Sequence, residues 1–157
     1  MRYAACRLEP GQTGHDAGWA LLEALYREET GCPLPRVVRN HRGHPRFADS
    51  HLCFSIAHTD RHAFCVLAPG HVGIDAEELD RQVRLSLSRR ILSESELLQF
   101  EAAENKRRAL LTFWVLKEAA AKLSGQGLRG FPNQTRFSLD DPRVWEWDGC
   151  LIAMLTE

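Results

Sequence analysis

No stretch of this chain is long and apolar enough to suggest a membrane-spanning helix, and its first residues, Met1-Arg2-Tyr3-Ala4-Ala5-Cys6-Arg7, carry no secretory pattern. A cytoplasmic protein with no membrane partner is therefore expected. Cysteine is sparse and odd in number: Cys6, Cys32, Cys53, Cys65 and Cys150, with no Cys-x-x-Cys pair. That argues against a disulfide framework or a zinc site and leaves reduced thiols as the expectation. A dominant charge is missing too. Twenty basic and 21 acidic residues leave a formal net charge of −1, so no bulk attraction to nucleic acid is expected. Low-complexity tracts and visible repeats are absent. His15, His41, His51, His62 and His71 show no ligand spacing and read as surface residues.

What is present suffices for a core. The chain has 157 residues, 44% of them hydrophobic, which fits one compact unit, a monomer of one or two small lobes. Arginines gather in two places, Arg36, Arg39, Arg42 and Arg46, and Arg81, Arg84, Arg89 and Arg90. Each group reads either as a solvated face or as a surface for phosphate and an acidic partner.

The pattern of elements is α+β. A strand is expected at 3–8 and a helix from an Asp16 cap to Thr30, stopped by Gly31. Val37 and Val38 form a short strand, and Cys53 to Thr59 a strand running into a loop. Ala63–Ala68 and Val72–Glu77 read as a hairpin turning at Pro69-Gly70-His71. Helical signals follow from Leu79 to Gln99, with a capping box at Ser93-Glu94-Ser95-Glu96. A long helix then ends at Ser124-Gly125-Gln126-Gly127, and Phe131-Pro132 opens a loop. Strands are expected at Thr135–Leu139, Val144–Trp147 and Cys150–Leu155, the last two joined by a turn at Asp148-Gly149.

Two stretches carry the chemistry. In Val72-Gly73-Ile74-Asp75-Ala76-Glu77, strand alternation puts Asp75 and Glu77 on one face with Gly73, about 6–7 Å apart, while Val72, Ile74 and Ala76 face a core. Two carboxylates so placed can share one hard cation and leave positions for phosphate and water. In Phe113-Trp114-Val115-Leu116-Lys117-Glu118-Ala119-Ala120-Ala121-Lys122, helical spacing aligns Trp114, Glu118 and Lys122. Leu110, Phe113, Leu116, Ala120 and Leu123 form the opposing apolar stripe. Taken singly, the first motif is an ordinary solvated strand edge and the second an ordinary surface ion pair.

Together and in this order they resemble the 4′-phosphopantetheinyl transferases, in particular the Sfp-like branch. That family carries Gly-Ile/Val-Asp-x-Glu on a strand and, some forty residues on, Trp-x-x-Lys-Glu-x-x-x-Lys on a helix. Here these are Gly73 to Glu77, then Trp114, Lys117, Glu118 and Lys122. Phe54-Ser55-Ile56-Ala57-His58-Thr59 is similar to the family's Phe-Asn-Ile-Ser-His-Ser, with Ser55 for Asn and Ala57 for Ser. Gly43-His44-Pro45 stands where the family has Gly-Lys-Pro or Gly-Arg-Pro, and Glu96 matches the Glu of its Phe-Ser-x-x-Glu, a residue that the capping box explains equally well. The resemblance implies two small pseudo-symmetric α/β lobes, 1–71 and 72–157, with the site at their interface. It implies Mg²⁺ on Asp75, Glu77 and Glu118, catalysis by Glu118 and Lys122, and coenzyme A contacts from His58, Thr59, Arg46, His44, Lys117 and Lys122. The implied reaction moves the 4′-phosphopantetheine arm of coenzyme A onto a serine of an acyl or peptidyl carrier protein and releases 3′,5′-ADP. The implied partner docks on the Arg81–Arg90 segment. A relative that binds coenzyme A or a carrier without turnover, and a metal-dependent phosphohydrolase of another fold, remain open as alternatives.

Overall fold

A computed structural model of the chain describes residues 1–41, 43–125 and 136–157. Arg42, Gln126, Gly127, Phe131, Pro132 and Thr135, which the sequence reading uses, lie outside the described residues. In chain order the elements are β1 (Arg2–Arg7), α1 (Gly14–Thr30), β2 (Val37–Arg39), β3 (Pro45–Phe47), β4 (Cys53–His58), β5 (His62–Ala68) and β6 (Val72–Glu78). A short 3₁₀ turn at Leu85–Leu87 leads to α2 (Ser88–Ile91), α3 (Glu94–Ala102), α4 (Lys106–Ser124), β7 (Val144–Trp147) and β8 (Cys150–Thr156).

Four layers result, set by strand alternation. One antiparallel sheet has the order β1-β5-β4 and another β6-β8-β7, while β2 and β3 form a small ribbon. On β5, Cys65 and Leu67 join the cluster of Leu22, Leu25 and Tyr26 from α1. Phe64, Val66 and Ala68 point the other way, into a core shared with Val72, Ile74 and Ala76 of β6 and Ile152 of β8. The far face of the second sheet, with Leu151, Ala153 and Leu155, is covered by Leu111, Val115, Leu116 and Ala119 of α4. The elements before His71 thus build one helix-backed sheet and those after it the other.

The helix ends follow local chemistry. Thr13, not Asp16, caps α1: its Oγ1 accepts the Asp16 N–H at 3.1 Å and donates to Asp16 Oδ2 at 2.7 Å. Gly31 and Gly125 close α1 and α4 in the left-handed region, at φ 70° and 63°. The capping box at Ser93 and Glu96 is formed as expected.

Three further expectations need correction. Strands β5 and β6 are consecutive but are not a hairpin: β5 already has β1 and β4 on its two edges, so β6 lays its apolar face on it and pairs with β8. Residues 136–139 are not a strand, because β7 holds the free edge of β8. Their backbone N–H groups turn to α3, Phe137 N–H to Glu96 Oε1 at 3.0 Å and Leu139 N–H to Gln99 Oε1 at 3.1 Å. His62 is not a surface residue; it is 4% exposed. Among the described residues no helix is long and apolar enough to cross a membrane.

Candidate active site

Gly73 fixes how α4 meets β6. A Cβ there would lie 2.0 Å from the Ala119 carbonyl oxygen and 2.6 Å from the Leu123 nitrogen. The helix therefore rests directly on the strand backbone, on the face that also carries Asp75 and Glu77. Lys122, one turn from Glu118, reaches back over this contact. Its Nζ donates to Asp75 Oδ1 at 2.8 Å, to the Ile74 carbonyl at 2.9 Å and to the Ile56 carbonyl at 3.2 Å. All three ammonium protons are thus engaged, and the side chain ties β4 to β6.

The acids are held differently. Asp75 is 9% exposed; burial pushes its carboxyl up, and the Lys122 ammonium opposes this. Glu77 meets the guanidinium of Arg81. Glu118 is pushed up to about 7, first by burial and then by the Asp75 charge, with Lys122 opposing and Glu77 adding to the rise. Two cations thus face three acids, and the remaining acid is the one whose proton is retained near neutrality. Three oxygen donors with an excess of negative charge are the donor set that a hard divalent ion fits. The acids nevertheless stand apart. Among the described residues, the one group of three whose ligand atoms all lie within 4.8 Å of one another is His62, Glu78 and Cys150. Mutual repulsion, with Asp75 drawn to Lys122 and Glu77 to Arg81, accounts for the wider spacing.

Two cavities flank these residues. One, of about 290 Å³, is lined by His44, Arg46, His71 and Lys122, among others. Burial, then the charges of Lys122 and Arg39, pushes His44 down, so it offers an N–H rather than a cation. The other, of about 710 Å³, is lined by His58, Thr59, Arg61, Glu77 and Arg81.

Residues 71–148 match the family described as the 4′-phosphopantetheinyl transferase superfamily. The chain is also 36% identical over 122 residues to the 4′-phosphopantetheinyl transferase HetI of Nostoc sp., covering 71% of this chain and 52% of that protein. With the Synechocystis sp. protein named putative 4′-phosphopantetheinyl transferase slr0495, it is 32% identical over 123 residues, 72% of this chain and 50% of that protein. The chain belongs to the 4′-phosphopantetheinyl transferase superfamily. It spans about half the length of the curated relatives it matches.

Within this superfamily member the expected site residues divide. Lys122 pairs with Asp75 across the α4–β6 contact, and the charges of Asp75, Glu77 and Lys122 all act on Glu118, although the three acids' donor atoms do not cluster. His44 and Arg46 line the smaller cavity with Lys122, while His58 and Thr59 line the larger with Glu77. Thr59 is already committed, donating to Glu78 Oε1 at 2.5 Å. Lys117 lies on another side of α4 from Glu118 and Lys122 and meets Glu96 of α3. It is 2% exposed, paired at 2.8 Å with the fully buried Glu96. Glu96 also accepts the Ser93 and Phe137 N–H groups, which fastens α3 and residue 137 to α4.

Sequence reasoning missed Ser55 and Glu78. Ser55 Oγ accepts the Ile74 N–H at 3.1 Å and so joins the two sheets. Glu78 is 6% exposed and gathers Thr59, Arg61 and His62 around it. Its one sequence signal was a third acid directly after Asp75-x-Glu77.

Proposed function

We propose that this chain transfers the 4′-phosphopantetheine arm of coenzyme A to a serine of an acyl or peptidyl carrier protein, as an Sfp-like enzyme with lobes 1–71 and 72–157. The observation that carries the reading is the Asp75, Glu77, Glu118 and Lys122 constellation, in which one carboxyl is held near neutrality. Asp75, Glu77 and Glu118 would hold Mg²⁺, which supplies charge neutralisation at the coenzyme pyrophosphate when bound.

The chain's own groups account for the proton and the charge. The serine Oγ attacks the phosphorus that bears the pantetheine arm, and the bond from that phosphorus to 3′,5′-ADP breaks. Glu118 is the carboxylate placed to take the serine proton. Lys122 is a point donor for the phosphates, and a phosphate oxygen can replace Asp75 Oδ1 in its coordination without freeing the two carbonyls. The cavity with His44 and Arg46 and the cavity with His58 supply further N–H donors on either side. Positioning and electrostatics would carry most of the rate.

The test is a mass measurement. Apo carrier protein incubated with coenzyme A, Mg²⁺ and the chain should gain the mass of the phosphopantetheine arm, and Glu118→Ala should abolish the gain. Unchanged carrier mass across a panel of acyl and peptidyl carriers would sink the proposal. The second reading, binding without turnover, is favoured by the full engagement of Lys122. It predicts calorimetric binding of coenzyme A with no mass gain.

A further inference from the structure

Where the two sheets meet at the end opposite β1's start, three buried side chains from three strands converge. His62 opens β5, Glu78 closes β6 and Cys150 opens β8; they are 4%, 6% and 0% exposed. His62 Nδ1 lies 3.2 Å from Glu78 Oε1 and 3.2 Å from Cys150 Sγ.

The tautomer follows from the partners. His62 Nε2 faces Asp148 Oδ2 at 2.9 Å, and a carboxylate only accepts, so Nε2 carries the hydrogen. With Nε2 donating to Asp148, Nδ1 is the ring nitrogen turned toward the Glu78 carboxylate and the Cys150 sulfur. A hydrogen on Nδ1 or Sγ can satisfy these contacts, and one metal ion can take its place, since each of the three atoms then has a lone pair to give. For a tetrahedral zinc ion the usual bond lengths put nitrogen and oxygen roughly 3.3 Å apart and nitrogen and sulfur roughly 3.5 Å apart. The observed separations are within a few tenths of an ångström of both. The surroundings are those of a supported ligand set. Asp148 orients the imidazole and is itself paired with Arg7; Arg61 Nη2 donates to Glu78 Oε2 at 2.5 Å, and Thr59 Oγ1 donates to Glu78 Oε1 at 2.5 Å.

We propose that His62 Nδ1, the Glu78 carboxylate and Cys150 Sγ form a binding site for one zinc-class transition-metal ion, which staples β5 of the first sheet to β6 and β8 of the second. The mixed nitrogen, oxygen and sulfur donors set it apart from the all-oxygen acid set at Asp75, Glu77 and Glu118, which suits a harder ion. Binding displaces the thiol proton, which leaves to solvent as the S–metal bond forms.

The test uses the full chain, stripped of metal and titrated with Co²⁺ in excess Mg²⁺. One equivalent should bind with a thiolate-to-cobalt charge-transfer absorption, and Zn²⁺ should displace it. Cys150→Ala should lose both the absorption and the equivalent, while Cys65→Ala, at the other buried thiol, should keep them. No tight equivalent, binding without the sulfur absorption, or an absorption that survives Cys150→Ala would each overturn the proposal. If Cys150→Ala does not fold, X-ray absorption of the zinc-loaded wild type decides: one sulfur in the shell supports the site, and a shell of oxygen and nitrogen alone refutes it. None of these readouts depends on transfer activity.

Discussion

Glu118 is the residue whose ionisation couples most directly to stability. Its carboxyl is pushed up to about 7 from an ordinary 4.5, so the folded state binds its proton more tightly than the unfolded state does. The stabilisation this gives is complete below pH 4.5 and is lost as pH rises through 7. Without divalent ions, Glu118→Gln should therefore match the wild type near pH 4 and exceed it near pH 8 by ~2 kcal/mol, after allowance for partial solvent screening. Urea melts across that range read the difference, and parallel pH profiles for the two proteins would contradict it. The residue pattern had already put Asp75 with Glu77, and Glu118 with Lys122, because strand and helix periodicities are fixed by backbone geometry. It could not reveal that Lys117 is buried. That depends on Glu96, a residue on another helix, and periodicity within one helix says nothing of what the next one brings.

At the scale of elements, two contacts control the site. Gly73 admits α4 onto β6, and Gly73→Ala would force a methyl into the Ala119 carbonyl. The variant should lose about 1–3 kcal/mol or more and lower the apparent affinity for Mg²⁺, since Glu118 and Lys122 ride on the displaced helix. Thermal melts with metal titrations check both effects. Helix α3 is tied to α4 by the buried Lys117–Glu96 pair. Removing only the ammonium, in Lys117→Met, strands a buried carboxylate and should cost about 3–5 kcal/mol. Coenzyme affinity of the remaining folded protein should stay unchanged, whereas a Lys117 that contacted coenzyme would give a large loss in calorimetry. The helices, their glycine stops and most strands were legible because caps, turns and alternation are local. Strand partners were not: β5 and β6 read as a hairpin because the turn between them is short, yet the choice belonged to β1 and β4, which had taken both edges of β5.

On the scale of the whole molecule, two of the polar links between the helix-backed sheets lie beside the site. Ser55 joins β4 to β6 through the Ile74 N–H, and Lys122 joins the same strands through two carbonyls. Ser55→Ala should leave a buried N–H unpaired and cost about 1–3 kcal/mol, which equilibrium unfolding measures. Because Lys122 both bridges the sheets and neutralises Asp75, anything that takes over Asp75 leaves the ammonium available to phosphate. Metal and coenzyme binding should then be coupled, and by reciprocity each tightens the other, typically about 5–150-fold. The most direct measurement is calorimetric titration of coenzyme A into wild type and Glu118→Gln, with and without Mg²⁺. Mg²⁺ should tighten coenzyme binding at least ~10-fold in the wild type and have no such effect in the variant. Equal affinity in the wild type with and without the ion, or full tightening retained in Glu118→Gln, would contradict a shared ion held by the acids of β6 and α4.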